Sequence, residues 1–150
     1  MVSRRCSSQK ITRSEPISAD NSSLLTPDTT PKRSWRIASA AQQHMTGYLK
    51  YLTDYTPASG DQVIDTPTKG RMPFHGRGSV NTKNMTLRDV LYVPGLEANL
   101  VSTGQLAELG YTISIGPYGC HVYKDDEGVD LVGKAHYVDG YLLELDFLRV

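Results

Sequence analysis

The sequence predicts an all-β domain with one short helix, and three observations carry that prediction. Apolar residues come in short runs, separated by Gly, Pro, Asn and Asp, from Trp35 onward. Such spacing is the mark of many short strands joined by turns. Within several runs the apolar side chains alternate, as they do on a half-buried strand. A single segment, Thr103 to Leu109, combines a capping serine before it, leucines three apart and a glycine after it, which is the punctuation of a helix.

The first 34 residues are of another kind. They are poor in large apolar side chains and rich in Ser, Thr, Pro, Lys and Arg. Such a segment buries too little surface to offset the entropy of ordering, so 1–34 is expected to be a disordered tail, with the domain over 35–150. Arg4, Arg5, Lys10, Arg13, Lys32 and Arg33 outnumber Glu15, Asp20 and Asp28 there. An organelle transit peptide and a plain linker left from a longer polyprotein are both compatible with this composition. No apolar face recurs at helical spacing in it, which favours the linker.

The expected strands then follow in order: 34–38, 62–66, 71–74, 78–81, 85–92, 112–115, 120–123, 130–133 and 141–144. Met85 to Tyr92 alternates at first and then becomes wholly apolar, which reads as entry into the core. Pro94 ends that run, because it cannot donate to a ladder, and Gly95 opens a turn. The side chain of Asn99 is expected to tie the following loop to backbone groups. Ser102 caps the helix and Gly110 stops it. Gly116-Pro117-Tyr118-Gly119, Asp125-Asp126-Glu127-Gly128 and Asp139-Gly140 are the turns of the last third.

Composition narrows the function. Sixteen basic residues balance sixteen acidic ones, so no basic footprint points to nucleic acid. No run of about 18 apolar residues exists to cross a membrane as a helix. Cys6 and Cys120 are too few for a four-cysteine zinc site and suggest no disulfide framework, so an intracellular, cytoplasmic protein is expected. His44, His75, His121 and His136 lack the spacing of a zinc site, and Asp125, Asp126, Glu127 and Asp130 lack the alternate ligands of a calcium loop. No cofactor and no metal are expected. Gly76-Arg77-Gly78 has neither the third glycine nor the following helix of a nucleotide loop and reads as a turn or bulge. Ser39 with His44 suggests nucleophile and base, but no orienting acid stands at a defensible spacing.

Two stretches carry a resemblance. Trp35-Arg-Ile-Ala-Ser-Ala-Ala-Gln-Gln-His-Met-Thr46 resembles the protease motif of copia-type retrotransposon polyproteins, Trp-x-aliphatic-Asp-Ser-Gly-Ala-Ser-x-His-Met-Thr. Trp35, Ile37, Ser39, Ala41, His44, Met45 and Thr46 match it. Asp89-Val-Leu-Tyr-Val-Pro-Gly-Leu96, with Asn99-Leu-Val-Ser102 and Gln105-Leu106, resembles that family's Asp-Val-Leu-Tyr-Val-Pro-x-Leu-x-x-Asn-Leu-Leu-Ser-x-x-x-Leu without a gap. The resemblance implies a single retropepsin-like β-barrel. It also implies an aspartic protease, whose two carboxylates share a proton and come one from each subunit of a homodimer. Here Ala38 replaces the acid and Ala40 replaces the glycine that lets the two loops approach.

No catalytic residue is therefore expected. The resulting expectation is a non-catalytic remnant that holds a peptide or protein by strand addition. The alternatives are a weak peptidase using Asp65, or an element fragment without selected function. Asp65 stands in Val63-Ile64-Asp65-Thr66-Pro67, where Pro67 occupies the place of the glycine and constrains Thr66. In the resemblance this stretch belongs to the flap hairpin.

Overall fold

A computed structural model of the chain describes residues 34–150. The tail expected over 1–34, Cys6 and any leader in it lie almost wholly outside the described residues.

Twelve strands and one helix follow Ser34. They are β1 (Trp35–Ala38), β2 (Met45–Thr46), β3 (Thr53–Pro57), β4 (Val63–Thr66), β5 (Gly70–Pro73), β6 (Gly76–Asn81), β7 (Met85–Tyr92) and β8 (Asn99–Ser102), then α1 (Thr103–Glu108), β9 (Thr112–Gly116), β10 (Gly119–Tyr123), β11 (Leu131–Val138) and β12 (Leu142–Arg149). A single 3-10 turn covers Leu49–Tyr51. The fold class is all-β, as the short apolar runs predict.

Ten strands form one sheet in the order β9-β10-β11-β12-β1-β8-β2-β7-β6-β3. The sheet also closes on itself, because β12 pairs with β7 as well as with β1 and β11. Leu148 stands opposite Met85 and Arg149 opposite Thr86 in that parallel pairing. Closure leaves a ring of five strands, β12-β1-β8-β2-β7, with β6-β3 and β11-β10-β9 running off it. A closed ring removes the unpaired edges that its strands would otherwise present. β4 and β5 make a separate hairpin.

The core has two parts. Trp35, Val80, Leu87, Val90, Val101, Leu106, Cys120, Val122 and Leu148 pack in the larger one. Ala41, Met45, Ile64, Phe74, Leu91, Val93 and Leu96 make the second, with Ala38, Met72 and Leu100 against it. Burial raises the Cys120 thiol to about 11, so it behaves as a small apolar side chain rather than a nucleophile.

Most expected elements are present, with longer bounds for β11 and β12. Three strands were not expected: β2, β3 and β8. β2 is two residues long, and β8 is a run of four that is largely buried without alternation, so neither carries a period to read. In β7 the burial pattern slips a step between Leu87 and Val90. The cause is not simple entry into the core. Asp89 adopts a left-handed backbone, φ 57°, and the β6–β7 register shifts between Gly78 and Val80; a bulge of this kind turns the strand's buried face over. Gly76 and Gly78 serve close approach: a Cβ there would stand 2.5 Å from the Thr56 carbonyl oxygen and 2.8 Å from that of Thr53.

The helix obeys its capping signals. The Ser102 hydroxyl accepts the Gln105 amide at 3.1 Å, and Gly110 takes φ 94° at the stop. Leu106 is the helix's buried side chain. A helix of this length is held by that contact rather than by propensity. Leu106→Ala is expected to cost about 2 to 4 kcal/mol, measured by urea unfolding; a loss under about 0.5 kcal/mol would mean that the helix is not anchored there.

Candidate functional site

The stretch with Ala38 folds as a strand, a tight turn and a second short strand. β1 lies parallel to β8, Trp35 opposite Asn99 and Ala38 opposite Ser102. The turn follows at Ser39 and Ala40, both exposed, and the Ala41 amide donates back to the Ala38 carbonyl at 3.4 Å. Ala38 itself is half-buried at the strand's end.

The residues after the turn are bound to the second motif one by one. The Ser102 hydroxyl donates to the Ala41 carbonyl at 2.7 Å. The Ser102 amide donates to His44 Nδ1 at 2.9 Å. The His44 amide donates to Gln105 Oε1 at 2.7 Å, and Gln105 Nε2 reaches the Asp89 carbonyl at 3.1 Å. Thr46 Oγ1 donates to Asn99 Oδ1 at 2.5 Å. Four of these bonds run from the His-Met-Thr triplet or its turn to Asn99, Ser102 or Gln105, and the fifth ties Gln105 on to Asp89. Spacing alone shows two separate motifs; the parallel pairing of β1 with β8 makes them one structure.

Burial pushes the His44 imidazole down from 6.5 to about 4, because charging it inside the core forfeits its hydration. Geometry agrees. Nδ1 accepts a backbone N–H, so it carries no proton, and a charged ring would set two N–H groups against each other. His44 is a structural hydrogen-bonder. Ser39 stands exposed on the turn while His44 is buried, so they do not form the nucleophile and base that their proximity in sequence suggests.

Asn99 lies within β8, and its side-chain oxygen accepts from Thr46. Its burial on a central strand calls for a side-chain partner, and Thr46 supplies one.

Asp65 lies on the hairpin, with its side chain 59% exposed and Arg71 Nε 3.8 Å away across it. An exposed pair at that distance is weak. Thr66 is committed to the turn: its hydroxyl donates to the Gly70 carbonyl at 2.7 Å and accepts the Lys69 amide at 3.1 Å. The hairpin packs Ile64 and Met72 into the cluster that also holds Ala38 and Ala41.

Beside the hairpin lies a cleft of about 470 Å³, lined among others by Asp54, Ala58, Phe74, Arg77 and Asp89. Asp54 and Asp89 both adopt left-handed backbones, φ 52° and 57°, at bulges in β3 and β7 on either side of β6. The bulges bring both residues to this cleft. No sequence spacing foretells that, because bulges arise from tertiary pairing. His136 sits elsewhere, on β11, with Nδ1 2.7 Å from Asp146, while the Asp125 carboxylate accepts two turn amides, of Glu127 and Val129. Among the described residues no group of three or more His, Cys, Asp and Glu side chains is arranged to hold a metal ion, and no helix is long and apolar enough to cross a membrane.

The pairing of the two motifs leads to the family. The profile of a family described as the Pol polyprotein beta-barrel domain matches residues 35–111, just over half of the chain. This chain belongs to the Pol polyprotein beta-barrel domain family. The match begins at Trp35, where β1 begins, and runs through α1 to Tyr111, so it spans both motifs and the hairpin between them. The strands β9 to β12 lie beyond it, including the one that closes the ring. Comparison with curated proteins and with solved structures gave no match.

Proposed function

We infer that this chain is a non-catalytic, protease-like domain of the copia type, acting through binding of a peptide or protein segment. The observation that carries the reading is the half-buried methyl of Ala38 at the end of β1, where the motif it resembles has a carboxylate. The frame around it is held by bonds from Ala41, His44 and Thr46 to Asn99, Ser102 and Gln105, and the neighbouring Ala40 adds a Cβ where that motif has glycine. A site with this frame and no acid keeps its shape but lacks the group that would activate water.

The peptide reading draws on the cleft beside the hairpin. Its lining includes Phe74 and Ala58 on the apolar side and Asp54, Arg77 and Asp89 on the polar side, a mixture suited to holding a short segment. A second copy of the chain is the other partner in this reading, because the resemblance implies a homodimer.

The test is cleavage of an unstructured polypeptide by the purified full chain at pH about 4 to 6, the range of a shared-proton carboxylate pair. The expected result is no cleavage by the natural chain or by Asp65→Asn, and new cleavage by the double variant Ala38→Asp, Ala40→Gly. Cleavage by the natural chain that Asp65→Asn abolishes would replace this reading with a peptidase.

A further inference from the structure

We propose that two copies of this chain join through β9, edge to edge and antiparallel, about a two-fold axis at Ser114. The inference rests on the reading above only in taking a second copy as partner; it does not depend on whether the chain cleaves peptides.

The argument starts from the edges of the sheet. β3 and β9 are its two ends, and an end strand presents a row of N–H and C=O groups without a strand partner. Such rows invite another strand unless charge, proline or a bulge prevents it. β3 has all three: Asp54, Pro57 and the register shift between Thr53 and Thr56. The separate hairpin is guarded too, by Asp65 on β4 and by Arg71 and Pro73 on β5. β9 reads Thr-Ile-Ser-Ile-Gly and has no guard. Its pairing with β10 is regular from Thr112 to Gly116. The whole run from Leu109 to Tyr123 contains no Lys, Arg, Asp or Glu, although 21% of the chain is charged.

The same strand is complementary to itself. Turned about Ser114, β9 sets Thr112 opposite Gly116 of the second copy and Ile113 opposite its Ile115. Ile113 and Ile115 share a face, so the two copies form one continuous apolar row. No like charges meet, and a net charge of zero adds no repulsion at longer range. Ile115 is 52% exposed and Tyr118 is 88% exposed in the single chain. The register places Tyr118 opposite Gly110 of the second copy. That position borders an open apolar groove, whose lining includes Ala107, Tyr111, Ile113 and Ile115. Ile115 and Tyr118 would thus find cover in the partner. A self-matching edge closes at two copies, because the other end of the sheet is guarded and offers no site for growth.

Light scattering on the full chain at up to roughly 100 µM, the range of transient pairs, tests the proposal. A particle of twice the 16.6 kDa chain mass is expected. Ile115→Lys should weaken pairing at least ~10-fold by setting a charge against the apolar row, whereas Thr56→Lys on β3 should change nothing. Ser114→Cys in a Cys6→Ser background reads the axis directly: mild oxidation should link two chains, and Thr53→Cys should not link them. A monomer at the highest concentration, or a dimer that Ile115→Lys leaves intact, would overturn the proposal. If Ile115→Lys fails to fold, the Ser114→Cys link decides, and its absence in a dimeric sample overturns the proposal equally. A dimer lacking that link yet inactive on peptides would leave the non-catalytic reading untouched.

Discussion

Between pH 6.5 and about 4 the folded domain is expected to lose about 3 kcal/mol of stability through His44 alone. Above pH 6.5 the ring is neutral in the folded and the unfolded chain alike, and stability has its full value. Below it the unfolded chain takes up a proton that the folded chain refuses, since burial holds the folded ring down at about 4. Stability then falls by about 1.4 kcal/mol per pH unit until the folded ring too is charged. The loss is large because His44 is 1% exposed and its Nδ1 is already bound by the Ser102 amide. Urea unfolding at a series of pH values measures it. His44→Asn keeps an acceptor at a similar reach from the backbone and removes the titration, so its profile should be flatter over this range. Identical profiles for the two proteins would show that His44 does not titrate with unfolding. The same slope bears on the cleavage assay: at its acid end the frame around Ala38 is weakened, so the upper end is the fair condition for the double variant.

Gly47→Ala is expected to be at least as damaging, at about 3 kcal/mol or more. A Cβ at Gly47 would stand 1.6 Å from the Leu96 carbonyl oxygen and 2.6 Å from its carbon. These are backbone atoms, and the two segments have little room to part. The Gly47 amide donates to the Ala98 carbonyl at 3.3 Å, the Val93 amide to Thr46 and the Leu96 amide to Val93. Against a typical net stability of about 5 to 15 kcal/mol, such a loss should appear as a large drop in melting temperature. Gly104→Ala is the contrast. Its Cβ would meet nothing closer than Ser102 Oγ at 3.7 Å, and on an exposed helical position it should stabilise by up to about 1 kcal/mol. Equal effects at both glycines would mean that the approach of Gly47 to Leu96 is looser than it stands here.

The fold was legible where one strand carries its own signal. β7, β10 and the Ser102-capped helix could be placed from alternation, glycine turns and the capping hydroxyl, because each of these acts over a few residues. β2 and β8 could not. Met45 and Thr46 become a strand only because β7 and β8 lie on either side of them, and no local pattern records that. The partner of His44 was not legible. Ser102 lies 58 residues away and comes beside it through the antiparallel pairing of β2 with β8, a contact between distant segments that leaves no turn or spacing to read. The cleft with Asp54 and Asp89 was missed for the same reason. An aspartate in a left-handed bulge looks, in sequence, like any other polar residue on a strand.

The closing strand has a consequence for how the chain is made. β1 emerges before β12 in synthesis, yet one side of it, at Arg36 and Ile37, finds its partner in Glu144 and Leu143. The other end of that late strand must also reach Met85. At roughly 5 to 20 residues per second, a growing chain therefore spends several seconds with Trp35 and its neighbours made but unsealed. In that interval the second motif, which needs only β8 and the capped helix, can already dock on the first. Birth order thus lets the bonded frame around Ala38 form first, while the ring can shut only when β12 is made.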